Sequence, residues 1–392
     1  MKKLVKLTSL LLALCLILGL AACGGKTDPE TTPEQTDEQE DADALAAAHV
    51  DELIAAIYVQ QWTEQTDAQC AEAKAAWDAL TDAQKLLVEE YDYFGRDTGD
   101  ASFDDPRNQD GIGENEILVV SFGTSFNQSR TQDIGGIENA IAEAYPDWSI
   151  RRAFTAQIII NHIQARDGEK IDNIDQALAR AVANGVKNLI IQPTHLMHGA
   201  EYDEIIDALA NYQDKFENVR VAEPLLGPVG EDATVINSDK EAVAKAVVEY
   251  ALGQFGGREA AKEDGYALVL LGHGTSHTAN VTYDQMQKQM EALGYDNVFI
   301  GTVEGEPEDT ECSVVIDKVK AAGYTKVILR PLMVVAGDHA NNDMADPDDE
   351  ESWYSQFDAS GNFTDIVCLI EGLGRVPDVQ QLYISHISDV LK

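Results

Sequence analysis

Three polar side chains sit where strand-like apolar runs end. His273 follows the run that stops at Leu271, Glu304 follows Thr302, and His339 follows the run that stops at Val335. Two imidazoles and a carboxylate suit a borderline divalent ion such as cobalt, nickel, iron or zinc. An imidazole, whose ordinary pKa is about 6.5, also exchanges a proton near neutrality. Any one such histidine is more often a hydrogen-bonded loop residue than a ligand. Three polar groups at equivalent strand ends point to a site, provided that the chain brings those ends together.

The elements that would do so follow from periodicity. Strands are predicted over Ile117–Ser121, Ser149–Phe154, Asn188–Gln192, Val219–Ala222, Ala267–Leu271, Asn297–Thr302, Lys326–Val335 and Ile366–Ile370. Helical patterns fall between them, over Ile137–Ala144, Asp175–Ala183, Glu241–Leu252 and Tyr283–Leu293. This alternation predicts an α/β protein with parallel sheets flanked by helices. An internal repeat divides it into two similar lobes. The nine residues from Ile117 to Ser125 echo those from Leu268 to Ser276, and Leu189–Pro193 echoes Val327–Pro331. In open parallel sheets ligands bind beyond the carboxyl ends of the strands, so two such lobes would face each other across a cleft. The repeat places Phe122 opposite His273, which arms only the second lobe.

Domain expectations follow from composition shifts. Residues 1–22 read as a lipoprotein signal peptide, with Lys2, Lys3 and Lys6 ahead of an apolar run from Leu7 to Leu20. That run is shorter than the roughly 20 residues of a comfortable membrane-spanning helix. Ala21 and Ala22 before Cys23 resemble a lipobox, which makes Cys23 the lipidation site and predicts an exported, membrane-anchored protein. Residues 23–40 read as an acidic disordered tether, 41–95 as a small helical module and 96–114 as a linker; 115–255 and 256–392 form the two lobes, the second carrying the metal site. In the module Leu45, Val50, Leu53, Ile54 and Ile57 share one face, and Thr81 to Gln84 resembles a capping start. A spacer, or a bundle that docks a surface partner, is the expectation for it.

The formal charge of −41 argues against nucleic acid, which needs a basic footprint. Beyond Cys23 only Cys70, Cys312 and Cys368 remain, which gives neither a disulfide framework nor zinc-type spacing. Gly123-Thr124-Ser125 and Gly274-Thr275-Ser276 lack the lysine of a phosphate loop. The acidic run Asp346–Glu351 reads as a solvated loop.

Longer stretches carry a resemblance. Val119–Ser125, Arg152–Thr155, Gly272-His273-Gly274, Gly301–Glu304 and above all Pro331–Met344, continued by Asp348–Trp353, look like the short, single-chain anaerobic sirohydrochlorin cobaltochelatases. Gly372-Leu373-Gly374 fits as well. The resemblance runs from about Glu116 to Leu391. It implies a chelatase-like fold of two α/β lobes, insertion of Co2+ into sirohydrochlorin with Fe2+ and Ni2+ as other candidates, and no organic cofactor. It also implies that His273, Glu304 and His339 are the metal-binding and catalytic trio. In that reading His273 binds metal and accepts a proton, His339 is a second ligand, and Glu304 supplies charge and accepts protons.

Sirohydrochlorin carries many carboxylates, so basic groups are expected to meet it. Arg151, Arg152 and His195 are the named candidates, with Arg130, Arg330 and His198 near predicted strand ends as further ones. His277 is expected to orient His273; His49, His162 and His386 are expected to be bystanders. Export is the departure from the resembled family, whose substrate is made in the cytoplasm. It leaves a second reading open: a surface lipoprotein that binds haem, a corrinoid or a metal ion without turnover.

Overall fold

Eight strands form two four-stranded parallel sheets of identical order. β1 (Asn115–Ser121), β2 (Ser149–Phe154), β3 (Asn188–Pro193) and β4 (Asn218–Val221) run β2-β1-β3-β4. β5 (Tyr266–Gly272), β6 (Val298–Thr302), β7 (Lys326–Pro331) and β8 (Asp365–Cys368) run β6-β5-β7-β8. Helices cover the sheets, so the central strands β1 and β5 are buried almost throughout, and both read as continuous apolar runs. The structure is a computed structural model that describes residues 33–230, 232–234 and 236–392. The expected signal peptide, Cys23 and most of the expected tether lie outside the described residues.

The repeat extends to register. Val120 pairs with Pro193 as Leu271 pairs with Pro331, and Ser121 pairs with Phe154 as Gly272 pairs with Thr302. Just past the strands, the Ala156 amide donates to the Phe122 carbonyl as the Glu304 amide donates to that of His273. Phe122 and Ala156 are therefore the first-lobe counterparts of His273 and Glu304. An apolar cluster joins the lobes, running from Ile117 and Val119 to Leu268 and Leu270 by way of Ile141, Val247 and Tyr383. The predicted strand Lys326–Val335 stops at Pro331 because the next residues leave the sheet and are held by the first lobe, as described below.

The interior of the first lobe corrects the expectation for its arginines. Arg151, Arg152 and Arg130 are fully buried. Arg152 makes a two-pronged bond to Glu138, at 2.8 and 2.7 Å, and another to Asp104, at 2.6 and 3.0 Å. Arg151 is shared between Glu116 at 3.2 Å and Asp172 at 2.8 Å, and Arg130 also bonds Asp104. Guanidinium groups sealed inside the lobe against carboxylates do not reach a substrate, and the one donor left over, Arg151 Nε, is itself buried. Asp104 belongs to the stretch expected as a linker, which therefore supplies part of this charged core. Burial pushes the Glu116 carboxyl up to about 7 against the pull of Arg151.

One compact unit spans Ala46–Lys392 and a second ends at Leu45. Residues 33–40, expected within a disordered tether, are helical: the first helix runs Pro33–Ile57, with proline tolerated in its first turn. Helix Thr66–Ala79 follows, and Thr81 and Gln84 make the reciprocal bonds of a capping box. Val50, Ile54, Ile57, Cys70 and Trp77 pack together with Ala165 of helix Gln157–Asp167. His162 of that helix bonds the Tyr93 carbonyl at 2.6 Å and stacks on the Tyr93 ring at 3.9 Å. Among the described residues no helix is long and apolar enough to cross a membrane. Cys70, Cys312 and Cys368 are free thiols.

Candidate metal centre

β5 lies between β6 and β7, so the segments that follow these three strands emerge side by side. His273 is the first residue past β5, Glu304 follows β6, and His339 sits in the helical turn Asp338–Asn341 after β7. The His273 and His339 ring centroids are 4.5 Å apart, with the rings nearly perpendicular at 82°. The Glu304 amide donates to the His273 carbonyl at 2.9 Å. Gly274 permits this approach: its φ is +92°, and a Cβ there would stand 3.0 Å from the Glu304 Cβ. His273 and Glu304 are exposed, and His339 is half-buried.

Both imidazoles have Nδ1 engaged. The His273 Nδ1 lies 2.7 Å from the Gly274 carbonyl, which only accepts, so Nδ1 carries the proton and Nε2 keeps its lone pair. The His339 Nδ1 lies 2.8 Å from Asp343 Oδ2. That bond raises the His339 pKa above its ordinary value, while burial opposes it and the charges of Asp343, Asp338 and Glu304 add to it. A carboxylate behind a histidine in this way fixes its ring and strengthens it as a ligand. Among the described residues no three His, Cys, Asp or Glu side chains already surround a common point. The two imidazoles lie side by side, and the exposed Glu304 follows the adjacent strand.

The loop that carries His339 is anchored in the other lobe. Ser129 Oγ donates to the Ala336 carbonyl at 2.6 Å, and the Ala336 amide donates to Asp133 Oδ2 at 3.0 Å. Arg375 bonds the other Asp133 oxygen at 2.6 Å. Asp133 lies in a π-helical turn, Arg130–Ile134, an irregularity frequent at functional sites. Sequence reasoning missed these groups. Asp343, four residues after His339, had an available signal in its helical spacing. Ser129 and Asp133 had none, since their partner is distant in the chain.

The remaining candidates are placed elsewhere. Arg330 is buried with its guanidinium 4.8 Å from the Tyr250 ring, and its terminal nitrogens have no hydrogen-bond partner. His195 follows β3; both ring nitrogens are buried without a partner, and burial pulls the ring down to about 4. It therefore does not offer the cation expected for a substrate carboxylate. His198 bonds Glu223 at 2.6 Å. His277, expected to orient His273, instead accepts from the Ala279 amide at 3.1 Å and faces Asp203 at 3.5 Å.

Residues 115–392 match the model of a protein family described as cobalt chelatase (CbiK). The chain belongs to that family. This chelatase is 32% identical over 275 residues to a sirohydrochlorin cobaltochelatase of Salmonella typhimurium, an overlap of 70% of this chain and 96% of that one. It is 27% identical over 274 residues to a sirohydrochlorin cobaltochelatase of Nitratidesulfovibrio vulgaris, covering 69% of this chain and 89% of the relative. Among solved structures, SirB from Bacillus subtilis with Fe3+ has a TM-score of 0.47 and 15% identity, covering 71% of this chain and 95% of that one. The family region starts with β1, so the helical module lies ahead of it.

Proposed function

We propose that this chelatase inserts a divalent cation, cobalt foremost, into sirohydrochlorin, with His273, His339 and Glu304 as the working trio. The observation that carries the reading is the pair of imidazoles 4.5 Å apart with both Nδ1 atoms already committed. Each ring then offers Nε2 to a metal. Iron and nickel suit the same donors.

An insertion site must hold a cation and then release it. A closed cage would keep the ion, whereas two imidazoles and a movable carboxylate leave coordination positions open for the pyrrole nitrogens. Each dication that enters the ring displaces two pyrrole protons. His273, freed as the metal leaves it, and Glu304 are placed to accept them. Glu304 also supplies negative charge that offsets the loss of water from the ion. Phe122, the first-lobe counterpart of His273, is 44% exposed and offers an apolar face where the second lobe has its imidazole. Purified protein mixed with sirohydrochlorin and Co2+ should change the tetrapyrrole absorbance through many turnovers. A change that saturates at one equivalent would overturn insertion and favour the second reading, capture without turnover.

Export enters the proposal through Lys2, Lys3, Lys6, the apolar run to Leu20 and Cys23. In this reading the protein is lipid-anchored at Cys23 and works outside the cytoplasm, and that location favours the binder as the second reading. Incorporation of labelled palmitate into the wild type but not Cys23→Ser checks the anchor; equal labelling would refute it. A surface partner for residues 41–95 completes this reading, and pull-down with that segment altered is its test.

A further inference from the structure

Arg96 stands ahead of the region that matches the family, yet it reaches the loop that carries His339. Its Nη1 donates to Asn342 Oδ1 at 2.7 Å, and Asn342 Nδ2 donates to Asp338 Oδ1 at 2.7 Å. Those two residues bracket the single helical turn Asp338–Asn341 that holds His339. The Arg96 guanidinium also lies over the Phe126 ring of the first lobe, 5.0 Å from its centroid. Arg96 is thus a strut between the lobes, and its own backbone is tied down on both sides. Before it, Tyr93 is clamped by His162. After it, the Thr98 carbonyl accepts from the Gln128 amide at 2.8 Å, and Gly99 accepts from Asn127 at 3.1 Å.

The turn needs such support. It is four residues long, and a helix that short does not hold itself in water. The Ser129 and Asp133 bonds fix its entrance at Ala336, and Arg96 grips its exit at Asn342. Asp343, the next residue, is the carboxylate that orients the His339 ring.

We infer that the segment ahead of the family region is part of the metal-insertion site, with Arg96, the first residue past the helical module, as a positioning residue that clasps the His339 turn to the first lobe. This rests on the proposed role of His339 in metal binding. The clasp fixes where Asp343 stands, and Asp343 fixes where the His339 ring points. A carboxylate that orients a metal-binding histidine typically changes affinity by about tenfold or more when removed, and Arg96 acts further out than Asp343, so a smaller loss of about fivefold is expected.

The test titrates Co2+ alone into the full chain and reads the dissociation constant and the visible d–d absorption. Arg96→Ala should weaken cobalt about fivefold and alter the d–d band while the melting temperature stays within about 2 °C of wild type. Arg96→Lys, which keeps a donor for Asn342, should recover part of the loss. Asn342→Ala should mimic Arg96→Ala, and the double variant should be no weaker than either single one. Wild-type cobalt affinity and spectrum in Arg96→Ala would overturn the clasp, as would additive losses in the double variant. If Arg96→Ala fails to fold, Asn342→Ala carries the test from the loop side. Amide exchange across 337–343 in metal-free protein should rise in either variant, and unchanged exchange would also overturn it. Wild-type protein that binds cobalt but never inserts it would sink the proposed insertion and leave the clasp standing.

Discussion

β2 of the first lobe and β6 of the second occupy the same place in the same topology, and they bury opposite chemistry. Register matches Arg151 to Phe299 and Arg152 to Ile300. Beyond the strands the contrast reverses. At matching positions the first lobe has the exposed Phe122 and the buried Ala156, whereas the second has His273 and Glu304, both exposed. On these matched strands the first lobe keeps charge inside with an apolar residue past the strand end, and the second keeps apolar side chains with polar groups past the strand end. Under the proposed function a duplicated fold is divided between support and reaction. The first lobe's buried pairs also hold Asp104, which ties the preceding segment to the sheet.

The largest effect should come from disarming the second lobe. His273→Ala is expected to lower cobalt insertion by about a thousandfold or more, while unfolding stays within ~0.5 kcal/mol of wild type because the side chain is exposed. Insertion kinetics with sirohydrochlorin, alongside denaturant unfolding, check both halves. Next comes the charged interior: Arg152→Ala leaves Glu138 and Asp104 without their shared partner and should cost about 3–5 kcal/mol. The matched change Ile300→Val should cost only about 1 kcal/mol. Equal costs would erase the contrast between the two strands.

A pH dependence separates the lobes further. Burial pulls His162 and His195 of the first lobe down to about 4, whereas the Asp343 bond raises His339 of the second. Between about 6.5 and 4 the unfolded chain binds protons at His162 and His195 that the folded chain refuses, so stability falls as the pH falls. The loss is on the order of 3 kcal/mol per ring. Denaturant unfolding of His162→Phe should show a flatter acid limb than wild type; an unchanged slope would contradict the assignment. The smallest effect is expected at the first lobe's mouth. Phe122→Ala should raise the KM for sirohydrochlorin about fivefold, as loss of one aromatic contact implies, and leave cobalt affinity unchanged.

The inner strands β1, β3, β5 and β7 were readable from the sequence because each is a buried, largely apolar run with a polar or glycine-containing stop, and the repeat of Ile117–Ser125 in Leu268–Ser276 marked the two-lobe organisation. The imidazole pair was readable for the same reason, since its members follow such stops. Arg151 and Arg152 were misread as groups near strand ends that meet the substrate's carboxylates. Their partners Asp104, Glu116, Glu138 and Asp172 are scattered along the chain, and nothing local marks a buried network. Arg96 and Asn342 were unreadable on the same grounds, being joined only by folding. The start of the first helix at Pro33 was missed because its acidic first turns lack an apolar stripe.

The central claim is that His273, His339 and Glu304 share one metal ion. Cobalt anomalous diffraction from crystals soaked in Co2+, compared between wild type and His339→Ala, tests it most directly. A single strong site contacted by both imidazoles and the Glu304 carboxylate, lost in the variant, is the expected result. Cobalt bound away from the His273–His339 pair, or undiminished in the variant, would contradict the account.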